Sequence, residues 1–321
     1  MRDEPSCMNV IHAPSELEPA GRKVCLAIGF FDGVHLGHQQ IIRQTIADAR
    51  QYEALTLVVT FDCHPNTVVA PSRVPPLIYS LPQKLRALES VGAERVLLIH
   101  FDKALSEQPG EAFIRGLVRD LGPVRSLCVG ANFLFGYKRA GDVQLLSRLG
   151  AELQFAVHGL AAVSLDGKAV SSTRIREAIR LGNLDAASQM LGRTCSLAGT
   201  VVRGDGLGHE LGFPTANIDA AGLALPPNGV YAVHAEAGGR RYRSVLNIGH
   251  RPTLQSPAPQ LRVEAHLIDF AGDLYGHELE ISFFEKLRPE RKFASLRELR
   301  EQIARDILDA QLRFSAPGGR G

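Results

Sequence analysis

Two imidazoles three residues apart, His35 and His38, sit in the run Gly29-Phe30-Phe31-Asp32-Gly33-Val34-His35-Leu36-Gly37-His38-Gln39, between an apolar stretch and the start of a helical pattern. A helix N-terminus there offers backbone N–H groups and a positive partial charge, which suits phosphate. Attack on the α-phosphate of ATP builds negative charge on the phosphoryl oxygens and on departing pyrophosphate. Donors fixed in place lower that barrier without a covalent intermediate. The segment therefore nominates nucleotidyl transfer, with His35 and His38 as catalytic donors. An isolated HxGH serves equally as a helix cap beside a packed ring. Gly29, Gly33 and Gly37, at intervals of four, favour the phosphate reading because they permit close backbone approach.

Ser171-Ser172-Thr173-Arg174-Ile175-Arg176 combines hydroxyls at an expected N-cap with arginines in a first helical turn. Arginine there opposes the helix dipole, which points to an anionic partner, although a capped helix with solvated arginines has the same pattern. His64-Pro65 and Asn132 carry weaker signals of the same kind. Further on, Gly204-Asp205-Gly206-Leu207-Gly208 leads into Gly212-Phe213-Pro214-Thr215-Ala216-Asn217, a glycine loop beside a turn with a hydroxyl and an amide. No GxxxxGK[ST] occurs, so a kinase here needs a fold other than the P-loop. Mg2+ takes oxygen ligands and keeps waters, so Thr215 and Asn217 suit it beside ATP oxygens. Phosphoryl transfer to an alcohol also wants a carboxylate near the hydroxyl. In Leu261 to Ile268 the alternation sets Glu264 opposite Val263, Ala265 and Leu267, on a face that is solvent in an ordinary sheet.

The elements that position these residues change texture along the chain. The first half alternates apolar runs, near Val24 to Phe31, Leu55 to Phe61, Val96 to Phe101, Leu127 to Gly130 and Leu153 to Val157, with amphipathic helices over Gln39 to Arg50 and Glu111 to Leu121. That order predicts an α/β domain, a parallel sheet with helices on both faces, whose ligands bind beyond the C-terminal strand ends. Two short helical segments separated at Gly182-Asn183 run to Gly192. Beyond about residue 195, β-branched runs punctuated by Gly and Pro predict an antiparallel barrel or sandwich: Leu197 to Val202, Gly229 to His234, Tyr242 to Ile248, Leu261 to Phe270 and Glu278 to Phe284. A final helix opens on a capping box, Ser295-Leu296-Arg297-Glu298, with an apolar face of Leu296, Leu299, Ile303 and Ile307. The expected layout is a loose extension over 1–20, domains over 21–190 and 191–314, and a flexible tail over 315–321.

At 321 residues the chain fits two domains of roughly 150 residues each. Its 36 Lys+Arg against 34 Asp+Glu leave +2, too little for a diffuse field toward nucleic acid or an acidic membrane. Small-molecule partners are expected instead. No apolar run approaches the ~18 residues that span a bilayer, and Asp3, Glu4, Glu16 and Glu18 replace a signal core, so a cytoplasmic protein is expected. Cys7, Cys25, Cys63, Cys128 and Cys195 are odd in number and lack CxxC spacing, which favours reduced thiols, with Cys25 and Cys128 in buried strands.

Gly29 to Gln39, Phe61 to Pro65, Val129 to Gly136 and Ser171 to Arg176 together resemble the motifs of bacterial bifunctional riboflavin kinases/FAD synthetases. The second half extends the resemblance in order and spacing through Gly204 to Asn217, Gly229-Val230-Tyr231, Asn247-Ile248-Gly249 with Arg251-Pro252-Thr253, Glu264, and Asp273 to Gly276. The resemblance implies a Rossmann-like FMN adenylyltransferase followed by a riboflavin kinase barrel, using ATP and Mg2+. It implies ATP contacts in the first domain from Gly29, Phe31, Asp32, His35, His38, Ser172, Thr173 and Arg176, and FMN contacts from Asp62, His64 and Asn132. In the second it implies Gly204, Gly206 and Gly208 over ATP, Thr215 and Asn217 at the metal and phosphates, and Glu264 as base. Arg288, Arg291 and Phe293 would lie on the flavin side. Phe30, Asp62-Cys63 and Leu134 depart from the commoner Asn, Glu-Pro and Arg, and the lost cation at Leu134 bears on FMN binding. Competing readings are an aminoacyl-tRNA synthetase relic, which lacks a KMSKS-like loop and a basic surface, a flavin- or nucleotide-binding regulator, and a kinase with a weakened adenylyltransferase half.

Overall fold

The computed structural model describes residues 8–17, 21–251 and 260–315. The chain divides into two compact units, Met1–Arg174 with Met190–Gly192, and Ile175–Gln189 with Arg193–Gly321.

The first unit is a six-stranded parallel sheet of β1 (Asn9–Ile11), β2 (Val24–Ile28), β3 (Leu55–Phe61), β4 (Arg95–Ile99), β5 (Val124–Gly130) and β6 (Ala156–Leu160), in the order β1-β4-β3-β2-β5-β6. The strand order reverses between β2 and β5, so the crevice where such sheets bind ligands opens beyond the end of β2. The histidine run starts there. Alternate residues of β2 and β3, from Val24 to Ile28 and Leu55 to Val59, pack with Ile114, Leu117 and Leu121 of α5 (Gly110–Leu121) and Leu146 and Leu149 of α6 (Val143–Leu153). Cys128, between Leu127 and Val129, points the other way and donates to Asp48 of α1 (Leu36–Tyr52). The sheet is thus covered on both faces, as the alternation predicts. Smaller helices α2 (Asn66–Val69), α3 (Leu81–Ser90) and α4 (Lys103–Ser106) complete the βα connections, and a short hairpin, β7 (Ser164–Leu165) with β8 (Lys168–Ala169), follows β6.

Two expectations are corrected here. Residues 9–17, counted with a loose extension, add β1 to the edge of the sheet and bury Ile11 and Leu17 in its core, because Asn9, Val10 and Ile11 pair in register with Arg95, Val96 and Leu97. The strand expected at Leu153 to Val157 begins three residues later. Asp142 caps α6 by accepting from the Leu145 N–H, the helix runs through Leu153, and Gln154 turns the chain at φ 64°.

Helices α7 (Ser172–Arg180) and α8 (Leu184–Leu191) break at Gly182-Asn183 as expected, and the division between units falls within each of them. The second unit is a closed antiparallel barrel of β9 (Ser196–Val202), β10 (Ala216–Ile218), β11 (Gly229–Ala237), β12 (Arg240–Arg251), β13 (Gln260–Leu267) and β14 (Glu278–Pro289), in the cyclic order β10-β13-β12-β11-β14-β9. Strand β10, read from the sequence as part of a turn, closes it. A single turn, α9 (Leu207–Glu210), lies between β9 and β10, and α10 (Leu296–Ser315) ends the described chain. Tyr231, Val233, Leu246, Ile248, Val263, Ala265, Ile281 and Leu197 fill the interior.

Half of the capping box forms: Glu298 N–H donates to Ser295 Oγ at 3.2 Å, while Glu298 Oε2 accepts from the N–H of Ala294, one residue before the cap. The buried residues of α10 are nevertheless Gln302, Asp306 and Ala310, and Leu296 is exposed. Leu299, Ile303 and Ile307 border an open cleft, and Ile307 also packs against Val230, Ala232, Val245 and Ala310, so the predicted apolar face lines the cleft and meets the core at Ile307. Pro252, Thr253, Cys7 and the tail beyond Ser315 lie outside the described residues.

Candidate functional site

In the first unit, α1 begins at the histidine turn, and His35 is its N-cap. Its Nδ1 accepts from the His38 N–H at 3.4 Å, which leaves the proton of a neutral ring on Nε2 as a donor. The two imidazoles stack, 3.6 Å between centroids and 19° between planes, and the edge of Phe31 meets His38 at 5.2 Å. Capping and chemistry are therefore compatible readings of the same motif. Burial, the neighbouring His35 and the Lys84 cation together hold His38 well below the ordinary imidazole range, so it is neutral at physiological pH. Two stacked rings do not both ionise readily, which favours hydrogen-bond donation to an anion over a paired positive charge.

The glycines also make room inside the protein. A Cβ on Gly29 would lie 3.0 Å from the Phe31 ring, one on Gly33 3.0 Å from Ile78, and one on Gly37 3.3 Å from His35. Their close approach is to the protein's own side chains, and it packs the turn rigidly. Phe31 at φ 55° and Val34 at φ 41° are in the left-handed region, strain of about 1–3 kcal/mol each that the buried surroundings hold in place. Gln39 braces the turn by donating to the Val34 and Leu191 carbonyls.

Several other residues of the expected site also hold the architecture together. The buried Asp32 carboxylate accepts from the Ile78 and Tyr79 N–H groups at 2.9 to 3.3 Å, and its carbonyl accepts from Ser172 Oγ at 3.2 Å. Ser172 is thus placed at the histidine turn, while Ser171 caps α7 and Thr173 is exposed. Arg174 donates to the Leu165 and Lys168 carbonyls, so hairpin oxygens offset its position in the first turn. Arg176 stands two residues on, on the stretch of α7 that belongs to the second unit. Asp62 accepts from the Phe101 N–H and from His100, 2.5 Å away; burial raises its pKa, but these partners outweigh it and hold the carboxyl low. His64 accepts from the Asn66 N–H and presents its ring to Phe30, centroids 5.0 Å apart. Asn132 stands exposed on the turn after β5, and Leu134 is 45% exposed. Sequence reasoning missed Lys84 of α3. Its one signal is a charge at helical spacing from Ala87 and Leu88, on the face that the fold buries.

In the second unit, directly opposed residues on neighbouring strands share a face, and one such row crosses the outside of the barrel: Arg288, Val230, Asn247, Glu264 and Asn217. Cross-strand partners of this kind have Cβ atoms about 5 Å apart, so Asn217, Glu264 and Asn247 form one polar strip. The strip faces a cleft of about 1460 Å³ that is also bordered by Gly206, Gly208, Thr215, Arg262, His266, Arg288, Arg291, Phe293 and α10. The face that would be solvent in an ordinary sheet is therefore a cavity wall. A Cβ on Gly204 would lie 2.2 Å from the Asn217 amide, and one on Gly208 2.8 Å from Thr215 Oγ1, so only glycine lets the loop sit against these two side chains.

Arg262 pairs with Asp205 of the loop at 2.9 Å and lies 3.9 Å from Glu264. His266 lies 2.8 Å from the Pro214 carbonyl and holds the turn that carries Thr215. Both share the Glu264 face by alternation, the signal that would have found them. Arg288 meets Asp306 of α10 through bonds of 2.8 to 3.1 Å, Arg291 meets Gln302, and the Phe293 ring lies beneath both guanidinium groups. These three residues fasten α10 at the cleft mouth. Among the described residues no cluster of three or more His, Cys, Asp or Glu suits a metal. Hydroxyl and amide oxygens at Thr215 and Asn217, with the loop backbone against them, fit a magnesium ion that takes its other ligands from phosphates and water.

A parallel-sheet unit with a histidine turn at its switch point is joined in one chain to a closed barrel with a polar strip beneath a glycine loop. A profile of the FAD synthetase family matches residues 17–174, and one of the riboflavin kinase family matches 191–314. The bifunctional riboflavin kinase/FMN adenylyltransferase of Escherichia coli K12 is 37% identical over 95% of this chain and 97% of its own length. That of Bacillus subtilis 168 is 32% identical over 96% and 98%. The chain belongs to the bifunctional riboflavin kinase/FMN adenylyltransferase family. A solved structure of a macrolide-efflux protein from Streptococcus pneumoniae shares the fold, with a TM-score of 0.78 and 26% identity over 95% of this chain and 98% of that one. Efflux is said of that protein alone; among the described residues here no helix is long and apolar enough to cross a membrane.

Proposed function

We infer that this chain phosphorylates riboflavin to FMN with ATP and then joins FMN to the AMP part of a second ATP, releasing pyrophosphate and FAD. We assign the second step to residues 21–190 and the first to 191–314. The observation that carries the kinase assignment is the strip of Asn217, Glu264 and Asn247 beneath a glycine loop that packs on Thr215 and Asn217.

In that cleft Glu264 accepts the proton of the riboflavin 5′-hydroxyl as its oxygen attacks the γ-phosphate, and ADP leaves. Thr215 and Asn217 hold the phosphates together with Mg2+, which neutralises phosphate charge when bound. Gly204, Gly206 and Gly208 let the loop backbone approach ATP, and Arg291 and Phe293 line the flavin side. In the first unit the Nε2–H of His35 and the neutral His38 donate to the α-phosphate region, with Ser172 and Thr173 toward the triphosphate and His64 and Asn132 toward FMN. Asp32 and Phe31 act by shaping the turn, and Asp62 by anchoring the neighbouring loop. The partners are small molecules, which suits the cytoplasm, where ATP is made.

Incubating the purified chain with riboflavin, ATP and Mg2+ and separating the flavins tests the reading. FMN followed by FAD and pyrophosphate is expected. FMN without FAD would sink the adenylyltransferase half, and a weakened step linked to Leu134 would show as FAD formation only at high FMN.

A further inference from the structure

Lys84 is 3% exposed, a charged side chain inside the first unit. Its ammonium donates to the Phe61 carbonyl at 2.7 Å, the Phe30 carbonyl at 3.3 Å and Thr60 Oγ1 at 3.4 Å. The Phe30 ring covers it, 4.5 Å from Nζ to centroid, and Thr60 Oγ1 donates to the same Phe30 carbonyl. An ammonium has three donors, and all three oxygens here lie at the C-terminal ends of β2 and β3. Burying a cation costs several kcal/mol unless such partners offset it, so packing alone would be better served by an apolar side chain. Phe30 opens the histidine turn and Phe61 opens the loop that carries Asp62 and His64.

We propose that Lys84 is a positioning residue for adenylyl transfer: it ties the Phe30 carbonyl to the Phe61 carbonyl and fixes the separation between the histidine turn and the loop after β3. The proposal rests on the assignment of adenylylation to this unit. The titratable groups that face the ammonium are Asp32 of the turn, Asp62 and Cys63 of the loop, and His38 of α1. Its charge also helps to keep His38 neutral. Burial brings Lys84 down to about 8, against the opposing pull of Asp32, Asp62 and Cys63. The charge is therefore complete below that value and is lost as pH rises through it, which loosens the tie.

The test measures FAD formation from FMN and ATP against pH in the full chain, with riboflavin phosphorylation by the same sample as the control. Lys84→Met is expected to lower kcat for FAD on the order of 10- to 100-fold at neutral pH, with little change in KM and none in FMN formation. The wild-type rate should fall with a one-proton slope as pH rises through about 8. Lys84→Met should lack that limb, and Lys84→Arg should recover part of the rate and move the limb upward. Unchanged FAD formation in Lys84→Met overturns the proposal, as does an alkaline limb that survives the substitution, or equal loss of both activities in a folded chain. If Lys84→Met does not fold, the same comparison is made with Lys84→Gln, in which unchanged FAD formation overturns it. A wild-type chain that makes no FAD at any pH overturns the assignment of adenylylation instead.

Discussion

The two glycine-rich loops use their glycines in opposite ways. Gly29, Gly33 and Gly37 make room for Phe31, Ile78 and His35, so the histidine turn is packed shut around its own side chains. Gly204 and Gly208 make room for Asn217 and Thr215, which border an open cleft. The histidine turn also places Phe31 and Val34 at positive φ, whereas the positive φ angles next to the kinase cleft fall on Gly206 and Gly212, where they cost little. One site is preorganised by the core and tolerates strain because the core holds it. The other is a strip on a barrel surface that a loop and a helix convert into a cavity, and its loop is free of such strain.

The contrast breaks first at Glu264. Glu264→Gln should reduce FMN formation by about 10²- to 10⁴-fold while FAD formation from supplied FMN persists, as product chromatography would show. Loss of both steps in a folded chain would end the division of labour. His35 comes next, because it serves as cap and donor together. His35→Asn keeps a good N-cap but removes the imidazole, so FAD formation should fall on the order of 10²-fold with little change in melting temperature. An unchanged rate would reduce His35 to a cap. The smallest expected effect sharpens the picture of the cleft mouth. Arg288→Met leaves the buried Asp306 carboxylate without its bidentate partner and should destabilise the barrel by about 3 kcal/mol in denaturant titration, with Asp306→Asn in the same chain restoring part of it. If the single change costs nothing, α10 is held by its apolar contacts alone.

Much of this was legible without coordinates. Strand and helix alternation predicted the sheet and its helices, and the switch to Gly- and Pro-punctuated runs near residue 195 predicted the barrel. Errors occurred where a short segment had too little pattern. Asn9–Ile11 is three residues long and is a strand only because β4 offers an edge, and Ala216–Ile218 is a strand only because β9 and β13 flank it. The histidines, Thr215, Asn217 and Glu264 stood out by type and spacing, while Lys84 did not, since its partners are carbonyl oxygens and a hydroxyl brought together by the sheet.

By itself, the sequence determined where the strands and helices alternate, that a cap opens the last helix, and that Glu264 points away from the barrel core, because these follow from residue types and from periods of 3.6 and 2 along a local stretch of chain. Only the tertiary structure decided what each glycine meets, that the Glu264 face is a cleft wall, that Asp32 is engaged by backbone N–H groups, and that Lys84 is buried under the histidine turn. Those facts depend on strand register and on contacts such as Gly204 with Asn217 or Lys84 with Phe61, between residues that local periodicity does not relate.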